Sequence, residues 1–298
     1  MELDQLRTLR AAVEHGSLDA AARALHVTPS AASQRLRALE SAAGQVLLVR
    51  SRPVRATPAG EVLVRLARQV DLLVEDAGQA LAPDDPGGPP PVLPVAVNSD
   101  SLATWVLPVL SGVADQVQVR VFREDESRTS ALLRDGTVTA AVTTQAAAVP
   151  GCRSTRLGAM RYRPTASPEF VARWFPDGPT ARALAAAPVV RFDDADDLQH
   201  AYLRRRSRRA TPPMHRIPSS TGFVAAIAHG MGWGMVPDLQ AQAPDLAGRL
   251  VAFDPAATAD VVLHWQRWAL RSPSLDLLTG AMTAAARTML RQRSRGGS

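Results

Sequence analysis

The sequence predicts a mixed α/β protein built from a helix-rich N-terminal domain and a longer α/β region of two lobes. Through residue 81, apolar side chains recur at the three- and four-residue spacing of amphipathic helices. A stretch dense in proline and glycine, residues 82–94, then interrupts this pattern. Beyond it, short apolar runs alternate with helical patterns, which is typical of successive βαβ units around a parallel sheet.

The composition of the chain favours a nucleic-acid-binding protein without membrane spans or disulfides. The chain has 298 residues and a formal net charge of +6, and its basic side chains other than histidine are all arginine. Arginine binds phosphates in a forked geometry, which suits nucleic acid. No apolar run is long enough for a membrane span, no apolar leader opens the chain, and the single cysteine, Cys152, allows no internal disulfide. We therefore expect a cytoplasmic protein with no membrane partner.

Capping residues predict three short helices in the N-terminal domain. Apolar residues at helical spacing place the first helix at 2–15. Ser17 is a suitable N-cap for a second helix at 18–25, and Thr28 can cap the third helix with Pro29 at its first position. Two short helices joined by a tight turn form a helix-turn-helix, whose second helix enters the major groove of DNA.

The third helix has an apolar face and a small polar face. Ala32, Leu36 and Leu39 follow one another at helical spacing and should face inward. The outward side chains offer donors and acceptors to base edges and phosphates. These predicted DNA-binding residues are Thr28, Ser30, Ser33, Gln34 and Arg37. An ordinary surface helix pair is the alternative interpretation of the pattern.

A two-stranded wing is predicted to complete this domain, which we assign to residues 1–58. Two short apolar pieces flank a turn that is rich in arginine. Arg50, Arg52 and Arg55 would contact phosphates beside the groove, although a solvated basic loop would show the same pattern.

A long helix follows at 59–81, and its apolar residues repeat at alternating three- and four-residue intervals. Leu63, Leu66, Val70 and Leu73 form this heptad pattern. The pattern indicates a partner helix from a second copy of the chain, so these residues are predicted to form a dimerisation surface. The alternative is that the stripe packs on the body of its own subunit.

The α/β region is predicted to form two lobes after a hinge at 82–94. Residues 95–163 and 268–298 are assigned to the first lobe, and residues 164–267 to the second. Strand candidates that end each segment would cross between the lobes, and a final helix at about 274–293 would return to the first lobe.

The segment GSLDAAARALHVTPSAASQRLRALESAAGQVLLVR, followed by TPAG, resembles the DNA-binding head of the LysR-type transcriptional regulators. The rest of the chain agrees in layout with that family's effector domain, whose two lobes resemble periplasmic binding proteins. The stretches NSDSLATWVLP, LGAMRYRPTASPEFVARWFPDG and DDLQHAYL are similar to one branch, the ArgP/LysG-type regulators of basic amino acid export. That branch is also described as inhibiting replication initiation.

This resemblance implies a homodimer or homotetramer that bends promoter double-stranded DNA, with RNA polymerase as a further partner. It implies that a small-molecule effector, lysine or arginine, binds in the cleft between the lobes and that the protein activates an exporter gene. We expect no catalytic residues and no cofactor besides the effector. The alternative within the same class is a ligand-independent nucleoid or origin-binding protein that inhibits replication initiation.

Ligands of doubly wound lobes bind beyond the carboxyl ends of strands, near helix starts. The stretch VNSDSLATW places polar residues at such a point, where free N–H groups favour an anion and Asp100 could bind an ammonium group. Acids at several strand ends would suit a cationic ligand. The candidate effector-binding residues are Ser99, Asp100, Ser101, Glu124, Thr143, Thr144, Asp193 and Ser219. Each could instead be a plain cap or a solvated loop charge.

Two other functional classes are weighed against a regulator. A solute-binding protein could use the two lobes, but the absence of an apolar leader and the presence of the N-terminal domain argue against it. An enzyme is not favoured, because the chain has no nucleophile elbow and no Walker lysine. The histidines and the lone cysteine show no metal-ligand spacing, so no metal site is expected.

Overall fold

The computed structural model describes residues 1–49, 51–81, 90–123, 126–206 and 211–292. Its N-terminal domain has three helices, a two-stranded antiparallel sheet and a long fourth helix, in the order predicted. The elements are α1 (Leu3–His15), α2 (Leu18–Ala24), α3 (Pro29–Ala43), β1 (Leu48–Val49), β2 (Arg55–Ala56) and α4 (Pro58–Leu81). Arg50, residues 82–89 of the predicted hinge and the C-terminal residues 293–298 lie outside the described residues.

Side-chain caps start α2 and α3 where the sequence places them. The Ala20 N–H donates to Ser17 Oγ at 3.1 Å, and the Ala31 N–H donates to Thr28 Oγ1 at 3.1 Å. Gly16 ends α1 with a φ of 73°, a left-handed conformation that glycine adopts without strain. These local interactions explain why the helix boundaries could be predicted.

Small residues let α2 and α3 pack closely. Ala21 and Ala22 of α2 and Ala32 of α3 are fully buried. Leu9 and Leu39 are also fully buried and fill the core between the helices. The outer face of α3 therefore stays free for polar side chains.

The long helix α4 is tied both to the N-terminal domain and to the first lobe. Arg7 Nε and Arg10 Nη1 lie 2.7 and 2.8 Å from the buried carboxylate of Asp71. On the other side, Arg65 Nη1 donates to Pro150 O at 2.8 Å, and Arg68 Nη1 donates to Asp135 O at 3.1 Å. The helix is thus a physical link between the two parts of the chain.

Two glycines make room for this link. An added Cβ at Gly151 would lie 2.7 Å from Arg65 Nη2, and one at Gly136 would lie 3.1 Å from Arg65 Cγ. Both glycines have a positive φ, at 75° and 80°, so the close approach of α4 uses positions where other residues would be strained.

The first lobe begins with the predicted βαβαβ order. Its elements are β3 (Val92–Val97), α5 (Ser99–Ser101), a π-helical segment (Leu102–Val106), α6 (Leu107–Gly112), β4 (Gln118–Arg123), α7 (Glu126–Asp135), β5 (Ala140–Thr143) and the long strand β6 (Cys152–Ala166). The helical stretch from α5 to α6 is continuous in sequence, and a single residue, Asn98, separates it from the end of β3.

The second lobe and the return to the first lobe complete the chain. Their elements are α8 (Pro168–Trp174), α9 (Ala181–Ala186), β7 (Val189–Arg191), α10 (Leu198–Arg206), β8 (Met214–Arg216), α11 (Ser220–Ala228), β9 (Gly234–Pro237), α12 (Asp238–Ala241), β10 (Val251–Ala252), β11 (Ala259–Trp268) and α13 (Pro273–Met289).

The main sheet is mixed rather than parallel, which corrects the prediction. It has seven strands in the order β10-β6-β11-β5-β3-β4, with β9 also paired to β6. Only β3 pairs in parallel with β4 and β5. The strands β6 and β11 pair antiparallel over their length, because each carries the chain between the lobes in the opposite direction. One sheet therefore runs through both lobes.

The final helix ends earlier than predicted, at Met289 rather than near residue 293. Arg291 leaves the helix and exchanges two backbone hydrogen bonds of 2.9 Å with Ala159 of β6. Leu290 is buried beside Gly158, whose lack of a side chain allows the approach. No helix in the described part of the chain combines the length and apolarity needed to cross a bilayer.

We expect Ser17→Ala to lower the free energy of unfolding of the N-terminal domain by about 1 kcal/mol, because the Ala20 N–H loses its cap. Urea denaturation followed by circular dichroism measures this change. Ser41→Ala, at an exposed position within α3, is the control, and it should change the same quantity by less than about 0.5 kcal/mol. Equal losses in both variants would contradict the capping assignment.

Candidate functional sites

The outer face of α3 presents polar side chains to solvent. Ser30, Gln34 and Arg37 are exposed, and Ser33 is half-buried beside them. Thr28 is exposed although its hydroxyl caps the helix. The structure thus brings the predicted DNA-binding residues of this helix onto one accessible surface.

The wing adds two free cations next to that surface. Arg52 and Arg55 are exposed. Arg35 of α3 is neutralised by Asp4 at 2.7 Å, whereas Arg37, Arg52 and Arg55 have no carboxylate within 4 Å in the part of the chain that the structure describes. Unpaired arginines are available to bind phosphate. Arg50 lies outside the described residues.

A cavity of about 700 Å³ lies where the two lobes meet. It is bounded by the start of the α5–α6 helical stretch, the crossing strands β6 and β11, the loop before α10, and α11. Its described lining residues are Asn98, Ser99, Asp100, Thr144, Tyr162, Phe192, Asp193, Ala195, Asp196, Asp197, Leu198, Ala201, Phe223, Met235 and Val261. Four of these are aspartates and none is basic.

Asp100 is held at the centre of this junction by hydroxyl groups. Tyr162 Oη, from β6, donates to Asp100 Oδ2 at 2.8 Å, and Ser220 Oγ, from α11, donates to Asp100 Oδ1 at 2.8 Å. The carboxyl group keeps a small surface open to the cavity, but protein atoms surround it on nearly every other side. Burial raises the pKa of Asp100, the two hydroxyl donors partly offset this rise, and the negative charge of Asp196 adds to it.

The loop between β7 and α10 supplies the other three acids. Asp193 Oδ1 accepts from the N–H groups of Ala195 and Asp196 at 2.8 and 2.9 Å. Asp197 is the most exposed of the set and pairs with Arg204 at 2.8 Å, and this pairing holds the pKa of Asp197 below its ordinary value. The loop is thus held by hydrogen bonds between the Asp193 side chain and its own backbone, and its carboxylates line the cavity.

The structure brings four of the predicted effector residues to the cavity and leaves others away from it. Ser99, Asp100, Thr144 and Asp193 line the cavity. The remaining predicted residues do not line it: Ser101 is fully buried, Thr143 Oγ1 accepts from Gln145 N at 3.2 Å, and Ser219 Oγ caps α11 by accepting from Gly222 N at 3.2 Å. Glu124 lies outside the described residues.

Sequence reasoning missed several groups that the fold places at the cavity. Ser220 was indicated by the helix start PSSTGF although Ser219 was preferred to it, and Asp196 lies beside a predicted residue in the stretch RFDDAD. Tyr162 had no such signal, because it is 62 residues from Asp100 in sequence and reaches it only through the crossing strand. Phe192 and Phe223 add apolar surface that the strand-end rule does not identify.

The predicted heptad stripe of α4 is only partly covered within the chain. Leu66 is 36% exposed and Leu73 is 41% exposed, and Val70 is half-buried. Leu63 instead packs against the core of the N-terminal domain. The stripe from Leu66 to Leu73 therefore remains available to a second copy of the chain.

A helix-turn-helix domain joined by a long helix to two lobes with a cavity between them defines a ligand-binding transcriptional regulator. The chain belongs to the LysR family. Residues 3–61 match the model of the bacterial regulatory helix-turn-helix protein, lysR family, and residues 86–287 match the model of the LysR substrate binding domain. These two matches confirm the predicted class and fold: a regulatory helix-turn-helix domain for DNA and a substrate binding domain for a small effector.

Similar proteins cover the whole chain. The HTH-type transcriptional regulator LysG of Mycobacterium tuberculosis is 46% identical over 296 residues, which span 98% of this chain and 95% of the relative. The lysine export transcriptional regulatory protein LysG of Corynebacterium efficiens is 42% identical over 290 residues, spanning 96% and 98%. The structure of full-length LysG from Corynebacterium glutamicum with bound effector Arg is 39% identical, with a TM-score of 0.81 and coverage of 98% and 100%.

We expect Asp100→Asn to raise the melting temperature of the ligand-free protein near neutral pH by a few degrees. The substitution removes a buried charge whose folded pKa lies above its unfolded value, so the wild-type carboxyl destabilises the fold as pH rises through that range. Differential scanning calorimetry at several pH values measures the effect. The advantage of the variant should shrink as pH falls, and an advantage that grows on acidification would contradict the assignment.

Proposed function

We propose that this protein regulates transcription in response to a basic amino acid, arginine or lysine, bound in the cavity between its lobes. The observation that carries this proposal is the charge of the cavity: four carboxylates line it, and no basic residue does so among those described. A low-dielectric pocket of this sign disfavours anions and favours a ligand with a net positive charge.

The cavity also offers partners for the two ends of an amino acid. Asn98 precedes the helical stretch at Ser99–Gly112, and its side chain does not cap that stretch. The first N–H groups of the stretch can therefore donate hydrogen bonds to a ligand carboxylate. Ser99 and Thr144 add hydroxyls at the same edge. Asp100 would bind the α-ammonium group, and the loop acids would face the side-chain cation.

An apolar wall would contact the aliphatic stem of such a ligand. Phe192, Phe223 and Met235 line one part of the cavity, and Leu198 and Val261 line another. Lysine and arginine both place a short hydrocarbon chain between charged ends, so they match a cavity with carboxylates at its edge and apolar side chains along it. The arginine bound in the similar LysG structure of C. glutamicum agrees with this chemistry.

The route from the cavity to DNA would run through the first lobe and α4. Arg68 contacts both Asp135 O in the first lobe and Glu14 of α1, at 3.1 Å in each case. A change in the arrangement of the lobes would therefore reach the N-terminal domain through the arginines of α4. Whether the ligand changes DNA bending by this route is tested by footprinting with and without arginine.

We further propose that the polar face of α3 and the wing bind promoter DNA, and that Leu66, Val70 and Leu73 bring two copies together. Paired recognition helices suit a palindromic site. By similarity to the lysine export regulator of C. efficiens, the target would be an exporter gene for a basic amino acid, activated with RNA polymerase in the cytoplasm. A footprint that ignores ligand would favour the ligand-independent origin-binding alternative.

In a thermal-shift screen of the twenty amino acids against the full-length protein, we expect arginine or lysine to raise the melting temperature, because a ligand of the native state stabilises it by mass action. Citrulline is the matched control ligand, since it has nearly the shape of arginine without the side-chain charge. A larger shift with glutamate or citrulline than with either basic amino acid would contradict the proposal.

We expect Ser33→Ala and Arg37→Ala to weaken specific DNA binding by about 1–3 kcal/mol each where a base contact is lost. Gel-shift titration on the natural promoter measures this. Arg249→Ala, an exposed arginine of the second lobe, and Ser41→Ala are the matched controls and should bind as wild type does. Wild-type affinity in both α3 variants would refute the assigned helix face.

A further inference from the structure

Among the described residues, the carboxyl group of Asp100 has hydroxyl partners and no cationic partner. Each of its oxygens accepts one hydrogen bond from a neutral hydroxyl, of Tyr162 or Ser220. No arginine or histidine of the described chain lies within 4 Å of it. The contrast with Asp71 is direct, because that buried carboxylate lies between Arg7 and Arg10.

The groups that face Asp100 across the cavity are also acidic. The loop before α10 contributes Asp193, Asp196 and Asp197, of which Asp197 is paired with Arg204. Arg191 donates to the carbonyl oxygens of Asp194 and Asp196 at 2.6 and 2.8 Å, and Arg216 pairs with Asp194 at 2.9 Å. These arginines bind the loop itself and leave Asp100 uncompensated.

The other elements around the cavity add little charge. The strand β6 brings Tyr162, α11 brings Ser220 and Phe223, and β9 and β11 bring apolar side chains. His264 of β11 interacts with the backbone of Thr144, and its burial, with Arg156 nearby, lowers the pKa of the imidazole, so the neutral form persists to lower pH than in an exposed histidine. The cavity therefore concentrates negative charge around a carboxyl group that is largely removed from water.

We propose that the effector cation enters this cavity in exchange for a proton on Asp100, so that the affinity for the effector depends on pH. In the exchange, the Asp100 O–H bond breaks, the proton passes to solvent, and the carboxylate pairs with the ligand cation. This inference rests on the proposed function, since it requires a cationic effector.

The ionisation of Asp100 supports the exchange. Burial raises its pKa, and the charge of Asp196 adds to this effect, so the neutral form persists to higher pH than in an exposed aspartate. Below that pKa the ligand cation must displace a proton, and above it the carboxylate is already free. Affinity should therefore increase as pH rises through the raised pKa and then become constant.

The test is isothermal titration of the full-length protein with L-arginine between about pH 4 and pH 8, in paired buffers of different ionisation enthalpy. Arginine carries its charges unchanged over this range. For the wild type, the association constant should rise by at most about tenfold per pH unit, with release of up to about one proton. Asp100→Asn should bind more weakly and show no such dependence.

Asp197→Asn is the matched control, because it removes another cavity carboxylate whose pKa is lowered by Arg204 and which is therefore ionised throughout. It should weaken binding by a similar factor at every pH and keep the wild-type slope. Tyr162→Phe and Ser220→Ala provide a second readout. Each removes a hydroxyl that stabilises the ionised carboxylate, so each should move the rise in affinity to higher pH.

The outcomes separate the two proposals. Arginine binding whose affinity does not change with pH, with no proton released, would overturn the exchange and leave the proposed effector class intact. A wild-type pH slope in Asp100→Asn would overturn it as well. No binding of arginine or lysine at any pH would overturn the proposed function itself. If calorimetry shows that Asp100→Asn does not fold, Tyr162→Phe and Ser220→Ala test the exchange instead. A rise in arginine affinity at the wild-type pH in both variants would then overturn it.

Discussion

At the junction of the two lobes, the largely buried carboxyl group of Asp100 has no arginine or histidine within 4 Å among the described residues, and the architecture around it follows from this. Two other buried carboxylates are paired with arginine: Asp71 contacts two arginines of α1, and Asp254 binds Arg206 and Tyr202. Asp100 receives only hydroxyl donors, although the protein is rich in arginine. A largely buried carboxylate with no cationic partner lowers the stability of the folded protein. Such destabilising groups are typical of functional sites.

The fold explains how one carboxyl group can respond to both lobes. Asp100 lies just beyond β3 in the first lobe, Ser220 begins α11 in the second, and Tyr162 belongs to the crossing strand β6. All three elements belong to, or pack against, a seven-stranded sheet that passes through both lobes. A ligand that changes the partners of Asp100 therefore acts on groups from both sides of the cleft. The arginines of α4 then connect the first lobe to the DNA-binding domain.

The structural features that depend on interactions between residues close in sequence could be predicted. The caps at Ser17 and Thr28, the wing and the extent of α4 follow from residues a few positions apart, and they appear as expected. The position of Asp100 at a strand end was predictable for the same reason. Its hydroxyl partners were not, because Tyr162 and Ser220 reach it across 62 and 120 residues of chain through the mixed sheet and α11. The early end of α13 has a similar origin, since Arg291 pairs with Ala159 of a distant strand.

A crystal structure of the full-length protein with L-arginine bound would show directly which group pairs with Asp100. We expect arginine in the cavity between the lobes, with a ligand nitrogen about 2.7–2.9 Å from a carboxylate oxygen of Asp100, as in other charge-assisted hydrogen bonds. Arginine bound elsewhere, or bound in the cavity with its carboxylate against Asp100, would contradict this expectation.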